Sequence, residues 1–198
     1  MNIKLMLNPF HAILIEDIYS QDELSLIWKE FDSLHRDFID GNSASFSASN
    51  DKKHNVGVML DTHYSNDRSK SNILQVNRKI FELINQKDSW FFRHFKCNLD
   101  YTLVSYYENS DYYKPHTDQA TATALTWFYK TPKKFQGGNL HFPEYNIDIE
   151  IQNNMCLIFP SKIEHSVDEV SMDDQYLNGN NGRYVMVQFL NQVTEIPN

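Results

Sequence analysis

The run "YYKPHTDQA", residues 112–120, sets His116 and Asp118 one residue apart inside an aromatic, strand-like stretch. Extended chain alternates its side chains between two faces, so these two point the same way, their Cα atoms about 6.6 Å apart. An imidazole and a carboxylate so placed can converge on one ion. A second imidazole would complete the two-histidine, one-carboxylate face that suits iron(II) and leaves coordination positions open. The candidate is His165 in "FPSKIEHSVDEV", after a Pro-Ser-Lys turn and 49 residues beyond His116. For any one of these residues the alternatives are a surface accident and a hydrogen-bonded core side chain. Of the eight histidines, His11, His35, His54, His63 and His94 are read as that ordinary kind. "DTH", Asp61 to His63, reverses the motif, but it stands in a polar stretch without matching partners and reads as a decoy.

A fourth residue points to an anion. In "GRYVMVQFL" the side chains of Val185, Val187 and Phe189 share a core-directed face, and Arg183 is in phase with them. A guanidinium on an inward face costs on the order of several kcal/mol if left unpaired. Its planar fork favours bidentate recognition of a carboxylate. The partner is either a protein carboxylate, in a plain salt bridge, or the far carboxylate of a small diacid bound beside a metal. With three candidate ligands in the same chain, the diacid is the better fit.

The elements that must position these residues are legible in outline. A chain of 198 residues is long enough for one domain with a sizeable core. "FHAILIEDIY" reads as a strand, followed by a helix whose Ser20 and Glu23 have capping-box spacing, with Tyr19 and Leu24 as a hydrophobic staple. Leu24, Ile27, Trp28, Phe31 and Leu34 give that helix one apolar face. A second helix is expected over roughly 72–85, and the Asn42–Lys70 stretch between the two reads as a long irregular loop suited to a lid. From about Asp100 the texture changes to eight short strands: "YTLVSYY", "YYKPHTD", "TALTWFY", "GNLHF", "NIDIEIQ", "MCLIFP", "EHSVDEV" and "RYVMVQFL". The fold class expected is α+β and mostly β: a double-stranded β-helix, or jelly roll, with supporting N-terminal helices. The expected organisation is a single domain over 1–198, with the jelly-roll core at about 100–192 and the helical support at about 20–86.

Composition narrows the partners. A formal charge of −8 argues against general phosphate-backbone binding, so no strong nucleic-acid signal is present. The two cysteines, Cys97 and Cys156, cannot supply a disulfide framework or a zinc site on their own. "MNIKLMLNPF" is too short and too interrupted for a signal peptide, and no stretch approaches a membrane span. A soluble, cytoplasmic protein that does not engage membranes is the expectation.

Four stretches, in order, resemble one known family: the iron(II)- and 2-oxoglutarate-dependent dioxygenases, in their prolyl 4-hydroxylase-like branch. "YENSDYYKPHTD" is similar to that branch's tyrosine-glycine-tyrosine, His-x-Asp stretch, with Tyr107 and Tyr113 at the tyrosine positions. "FQGGNLHFP" resembles its Gly-Gly-x-Leu strand, "FPSKIEHSVDEV" its distal-histidine segment and "GRYVMVQFL" its basic residue. Departures are Ser110 where the branch has glycine, arginine where many members have lysine, and "SMDDQYLNGNNG", which lengthens the hairpin before Arg183.

The resemblance implies that Fe(II) sits on His116, Asp118 and His165. It implies that 2-oxoglutarate chelates the metal and rests its C5 carboxylate on Arg183 and Tyr107. O2 is then consumed, and hydroxylation of a C–H bond is coupled to decarboxylation of 2-oxoglutarate to succinate, with ascorbate as a further cofactor. No catalytic residue beyond the metal ligands is required. The substrate so implied is peptidyl proline, in a pocket lined by Tyr113 and Trp127. Alternatives are the same chemistry on a free amino acid, another small molecule or a nucleobase, or a jelly-roll binding module without catalysis.

Overall fold

The structure is a computed structural model, describing residues 1–45 and 52–194. Strands β1 (Asn2–Met6) and β2 (Ala12–Glu16) pair antiparallel and lead into helix α1 (Gln21–Leu34). Ser20 Oγ accepts from the Glu23 N–H at 3.3 Å while Glu23 Oε2 accepts from the Ser20 N–H at 2.7 Å, so the capping box closes in both directions. Tyr19 and Leu24, the staple pair, are both buried.

The stretch expected to be a long irregular loop contains regular structure. Just before it stands β3 (Ile39–Asp40); the single-turn helix α2 (Gly41–Ala44) runs into it, and it holds β4 (Lys53–His54), β5 (Val56–Met59) and the single-turn helix α3 (Leu60–His63). The apolar run Val56–Met59 pairs antiparallel with the first strand of the β-rich half, and Lys53–His54 pairs with the strand that carries His116. A four-residue run in polar surroundings is too short for a periodicity to show; long-range pairing decides it. Residues 46–51 of the expected lid lie outside the described residues.

The helix expected over 72–85 is broken. Turns α4 (Asn72–Val76) and α5 (Ile80–Leu83) flank a 3₁₀ turn at Asn77–Lys79. Asn77, at the break, is fully buried and bonds outward: its Nδ2 donates to Thr102 Oγ1 at 2.8 Å and its carbonyl accepts from Gln188 Nε2 at 3.3 Å. These tertiary bonds override the helical pattern of Ile73, Ile80 and Ile84, which are nevertheless buried as expected.

Ten strands follow: β6 (Leu99–Tyr107), β7 (Tyr112–His116), β8 (Ala122–Phe128), β9 (Phe135–Gly137), β10 (Leu140–Phe142), β11 (Ile147–Ile149), β12 (Met155–Pro160), β13 (His165–Val167), β14 (Val170–Met172) and β15 (Arg183–Asn191). Each of the eight expected strands appears. The larger sheet has the order β1-β2-β12-β8-β15-β6-β5-β3, the smaller one β11-β10-β13-β7-β4, and β14 and β9 form a separate pair. All pairings are antiparallel. The mostly β, jelly-roll class holds.

The larger sheet separates two cores. One face packs on the helices through Ile13, Phe128, Tyr184 and Met186 against Ile27, Phe31 and Ile73. The other faces the smaller sheet, with Leu125, Trp127 and Val185 meeting Leu140, Phe142 and Val167. Alternation along β8 and β15 assigns each residue its layer, as strand geometry requires. Arg183 falls in the layer between the sheets. Among the described residues, no helix is long and apolar enough to cross a membrane.

Candidate metal and 2-oxoglutarate site

The smaller sheet brings the histidines together. His116 closes β7, His165 opens β13, and the two are register partners across the strands. Asp118 lies two residues past the end of β7, rather than within a continuous strand as expected. Its backbone N–H donates to the Ser161 carbonyl at 2.9 Å, and that bond turns the chain so that the carboxylate still faces the histidines.

The three side chains form one cluster, with ligand atoms within 4.8 Å of one another. Nε2 of His165 is 3.6 Å from Asp118 Oδ2, and Nε2 of His116 is 3.9 Å from Asp118 Oδ1. Each imidazole has its other nitrogen committed to backbone: His116 Nδ1–H donates to the Lys114 carbonyl at 2.9 Å, His165 Nδ1–H to the Ile163 carbonyl at 3.0 Å. A carbonyl can only accept, so both Nε2 atoms keep a lone pair turned towards the carboxylate. Thr123 Oγ1 donates to Asp118 Oδ2 at 2.6 Å and stands 2.8 Å from Ser161 Oγ, orienting the carboxylate from behind. Burial, with the neighbouring His165 as the next cause, holds His116 down to about 3. Two neutral imidazoles and one oriented carboxylate are the donor set that iron(II) takes.

Arg183, the first residue of β15, is fully buried. Its Nε, Nη1 and Nη2 make no hydrogen bond among the described residues. Its register partner is Tyr107 on β6, and the guanidinium carbon sits 4.6 Å from the centre of that ring. Burial pulls the guanidinium down to about 10, with the Tyr107 hydroxyl acting in the opposite sense. Gly138, at φ +69°, makes room: a Cβ there would come within 2.8 Å of Arg183 Cδ. The Gly-Gly pair singled out in the sequence therefore admits the arginine as well as turning the chain.

One cavity joins these groups. His116, Asp118 and His165 line it together with Arg183, Tyr107 and Tyr113. Val185, Val187 and Phe189 line it too, in the phase read from the sequence. Tyr113 stacks on His116 with ring centres 3.5 Å apart. Trp127 corrects an expectation: it is fully buried between the sheets and does not line this cavity, whereas Leu125, two residues earlier on the same face, does. Core packing claims the larger ring.

Lys53 was missed. Its side chain lines the cavity, is buried at 5% exposure, donates to Ser45 Oγ at 3.3 Å and holds its ammonium 5.0 Å from the centre of the Tyr113 ring. Burial lowers it to about 8, against the opposing pull of Asp118. Nothing in "NDKKHN" marks one lysine as inward; only the β4–β7 pairing, Lys53 opposite Tyr113, does so. Ser110, where the resemblance expects glycine, has φ +66°, so the backbone there keeps a glycine-type conformation. The Asp61–His63 motif stays apart, with Asp61 accepting from the Thr102 N–H at 2.6 Å.

Residues 102–191 match the family described as the 2OG-Fe(II) oxygenase superfamily. The family's description names Fe(II) and 2-oxoglutarate, and the matched span contains His116, Asp118, His165 and Arg183. No curated protein matches the sequence. Solved structures of similar fold include a Pseudomonas putida prolyl-4-hydroxylase, at 11% identity and TM-score 0.56, with 94% of this chain and 95% of that one covered. A viral collagen prolyl hydroxylase from Paramecium bursaria Chlorella virus-1 is 16% identical, TM-score 0.58, over 92% and 96% of the two chains. The non-heme alpha-ketoglutarate-dependent epimerase SnoN of nogalamycin biosynthesis is 12% identical, TM-score 0.60, over 90% and 76%. At these identities the chain shares their fold, and their substrates remain theirs.

Proposed function

We propose that this oxygenase is a hydroxylase in which His116, Asp118 and His165 hold Fe(II) and Arg183 receives the distal carboxylate of 2-oxoglutarate, with peptidyl proline as the substrate. The observation that carries the site assignment is the fully buried Arg183 guanidinium, without a hydrogen bond among the described residues, in the cavity of the His-Asp-His cluster. A buried cation without an anion is expensive, and a diacid bridging it to the metal removes that cost. The ring of Tyr107 lies against the guanidinium, and its hydroxyl is the second group proposed for the same carboxylate. Bound iron and 2-oxoglutarate would activate O2, one oxygen atom entering the C–H bond as hydroxyl and the other going to succinate as CO2 is lost from 2-oxoglutarate. The chain's own work is to hold both imidazoles in the lone-pair form, to aim Asp118 through Thr123 and to keep water from the cavity with Val185, Val187 and Phe189.

Peptidyl proline comes from the resemblance and from likeness in fold to two prolyl hydroxylases. A small molecule is the second reading, favoured by the Lys53 ammonium, for which a prolyl ring has no use. Residues 1–198 act as one domain in this account, with ascorbate keeping the metal reduced. Anaerobic addition of Fe(II) and then 2-oxoglutarate tests the assignment. A weak metal-to-ligand charge-transfer band should develop in the parent and be absent in Asp118→Ala. A parent that binds 2-oxoglutarate without such a band refutes the metal assignment.

A further inference from the structure

We propose that Lys53 receives a carboxylate carried by the substrate, next to the carbon that is oxidised. This rests on the site assignment above and deepens it. Charge complementarity leads to the inference. In the loaded site, the two positive charges of iron(II) and that of Arg183 are offset by Asp118 and the two carboxylates of 2-oxoglutarate. Lys53 is then surplus: a buried ammonium whose contacts among the described residues are one serine hydroxyl and the face of Tyr113, with Asp118, already counted against the metal, and Asp40 acting on it only through space. Neither contact is with an anion, and an uncompensated buried charge is costly.

Position separates this cation from the cosubstrate. Arg183 lies on the larger sheet, across from Tyr107, whereas Lys53 stands on β4, the edge strand of the smaller sheet, across from Tyr113. Tyr113 carries Lys53 and also stacks on His116, so the ammonium is one aromatic ring away from a metal ligand. A substrate carboxylate on Lys53 places its neighbouring carbons beside the metal cluster. Two sources supply such a group: the α-carboxylate of a free amino acid or chain end, or an Asp or Glu side chain beside the target residue of a peptide.

Matched carboxylate and amide probes test this on the anaerobic Fe(II)·2-oxoglutarate protein, by calorimetry and by perturbation of its charge-transfer band. L-Proline against L-prolinamide, and N-acetyl-L-proline against its amide, cover the free carboxylate. End-blocked Asp-Pro-Gly against Asn-Pro-Gly covers the side-chain source. At least one carboxylate should bind tenfold or more tightly than its amide partner, and the ratio should fall to within twofold in Lys53→Met and Lys53→Gln. Failure of every pair to discriminate in the parent overturns the inference, as does a preference that survives both substitutions. A missing charge-transfer band in the parent instead refutes the metal assignment on which it stands.

Discussion

The protein holds two arginines inward, and their surroundings differ in the one respect that matters. Arg68 is surrounded by acceptors: its Nε donates to the Leu74 carbonyl at 3.0 Å, its Nη2 to Asn77 Oδ1 at 2.6 Å and its Nη1 to Asp100 Oδ1 at 3.3 Å. Asp61 stands 3.5 Å away, and Asp100 also accepts from Arg78 and Gln188. Arg183 is more deeply buried and, among the described residues, makes no hydrogen bond and rests on the face of Tyr107. The first cluster is complete and ties the helical segment to β6 and β15. The second would be completed by the carboxylate proposed for it. Reversed copies of one motif follow the same division: Asp61–His63 feeds the structural hub, and His116–Asp118 the cavity.

Substitutions should separate the two regions by sign. Asp100→Ala strips Arg68 of its central carboxylate and should cost about 3 kcal/mol of stability, read as a lowered urea midpoint. A change below about 0.5 kcal/mol would mean that the hub is ornamental. Arg183→Met removes a charge that nothing among the described residues pairs, and should leave the ligand-free protein as stable as the parent or up to about 2 kcal/mol more so. A loss of similar size to that of Asp100→Ala would erase the contrast.

A pH series sharpens it further. His116 stays neutral in the fold down to about 3, while an unfolded imidazole protonates near 6.5. The unfolded chain therefore binds the proton first, and stability should fall as pH drops from about 6.5 towards 3. Urea midpoints of the metal-free protein measure the slope, and His116→Gln should flatten it. The smallest effect belongs to the reversed motif: His63→Ala, 3.9 Å from Asp37 at the surface, should change stability by less than about 0.5 kcal/mol and leave iron binding intact. Weakened iron binding in that variant would make the motif more than a decoy.

What the sequence made legible follows from the range of the forces involved. Local signals were sufficient for α1, whose capping box and apolar stripe act within a few residues, and for the strands after Asp100, where alternation repeats. They were also sufficient for Arg183, because phase with Val185 and Val187 is itself a local property. Long-range pairing hid the rest. The run Val56–Met59 is a strand only because β6 lies beside it, and Lys53 turns inward only because β4 meets β7. Trp127 could not be told from a pocket residue by its face alone, since the inter-sheet core and the cavity share that face. Its depth, not its phase, settles its place.

The most direct test of Arg183 as an anion receptor is thermal unfolding of the metal-loaded parent and Arg183→Met, anaerobically, with and without 2-oxoglutarate. A ligand at a hundredfold excess over its dissociation constant stabilises by about 2.7 kcal/mol. The parent should gain a clear rise in Tm from 2-oxoglutarate, while Arg183→Met melts no lower than the parent without it and gains little. A variant that melts well below the parent, yet rises by the same increment with 2-oxoglutarate, would contradict the account.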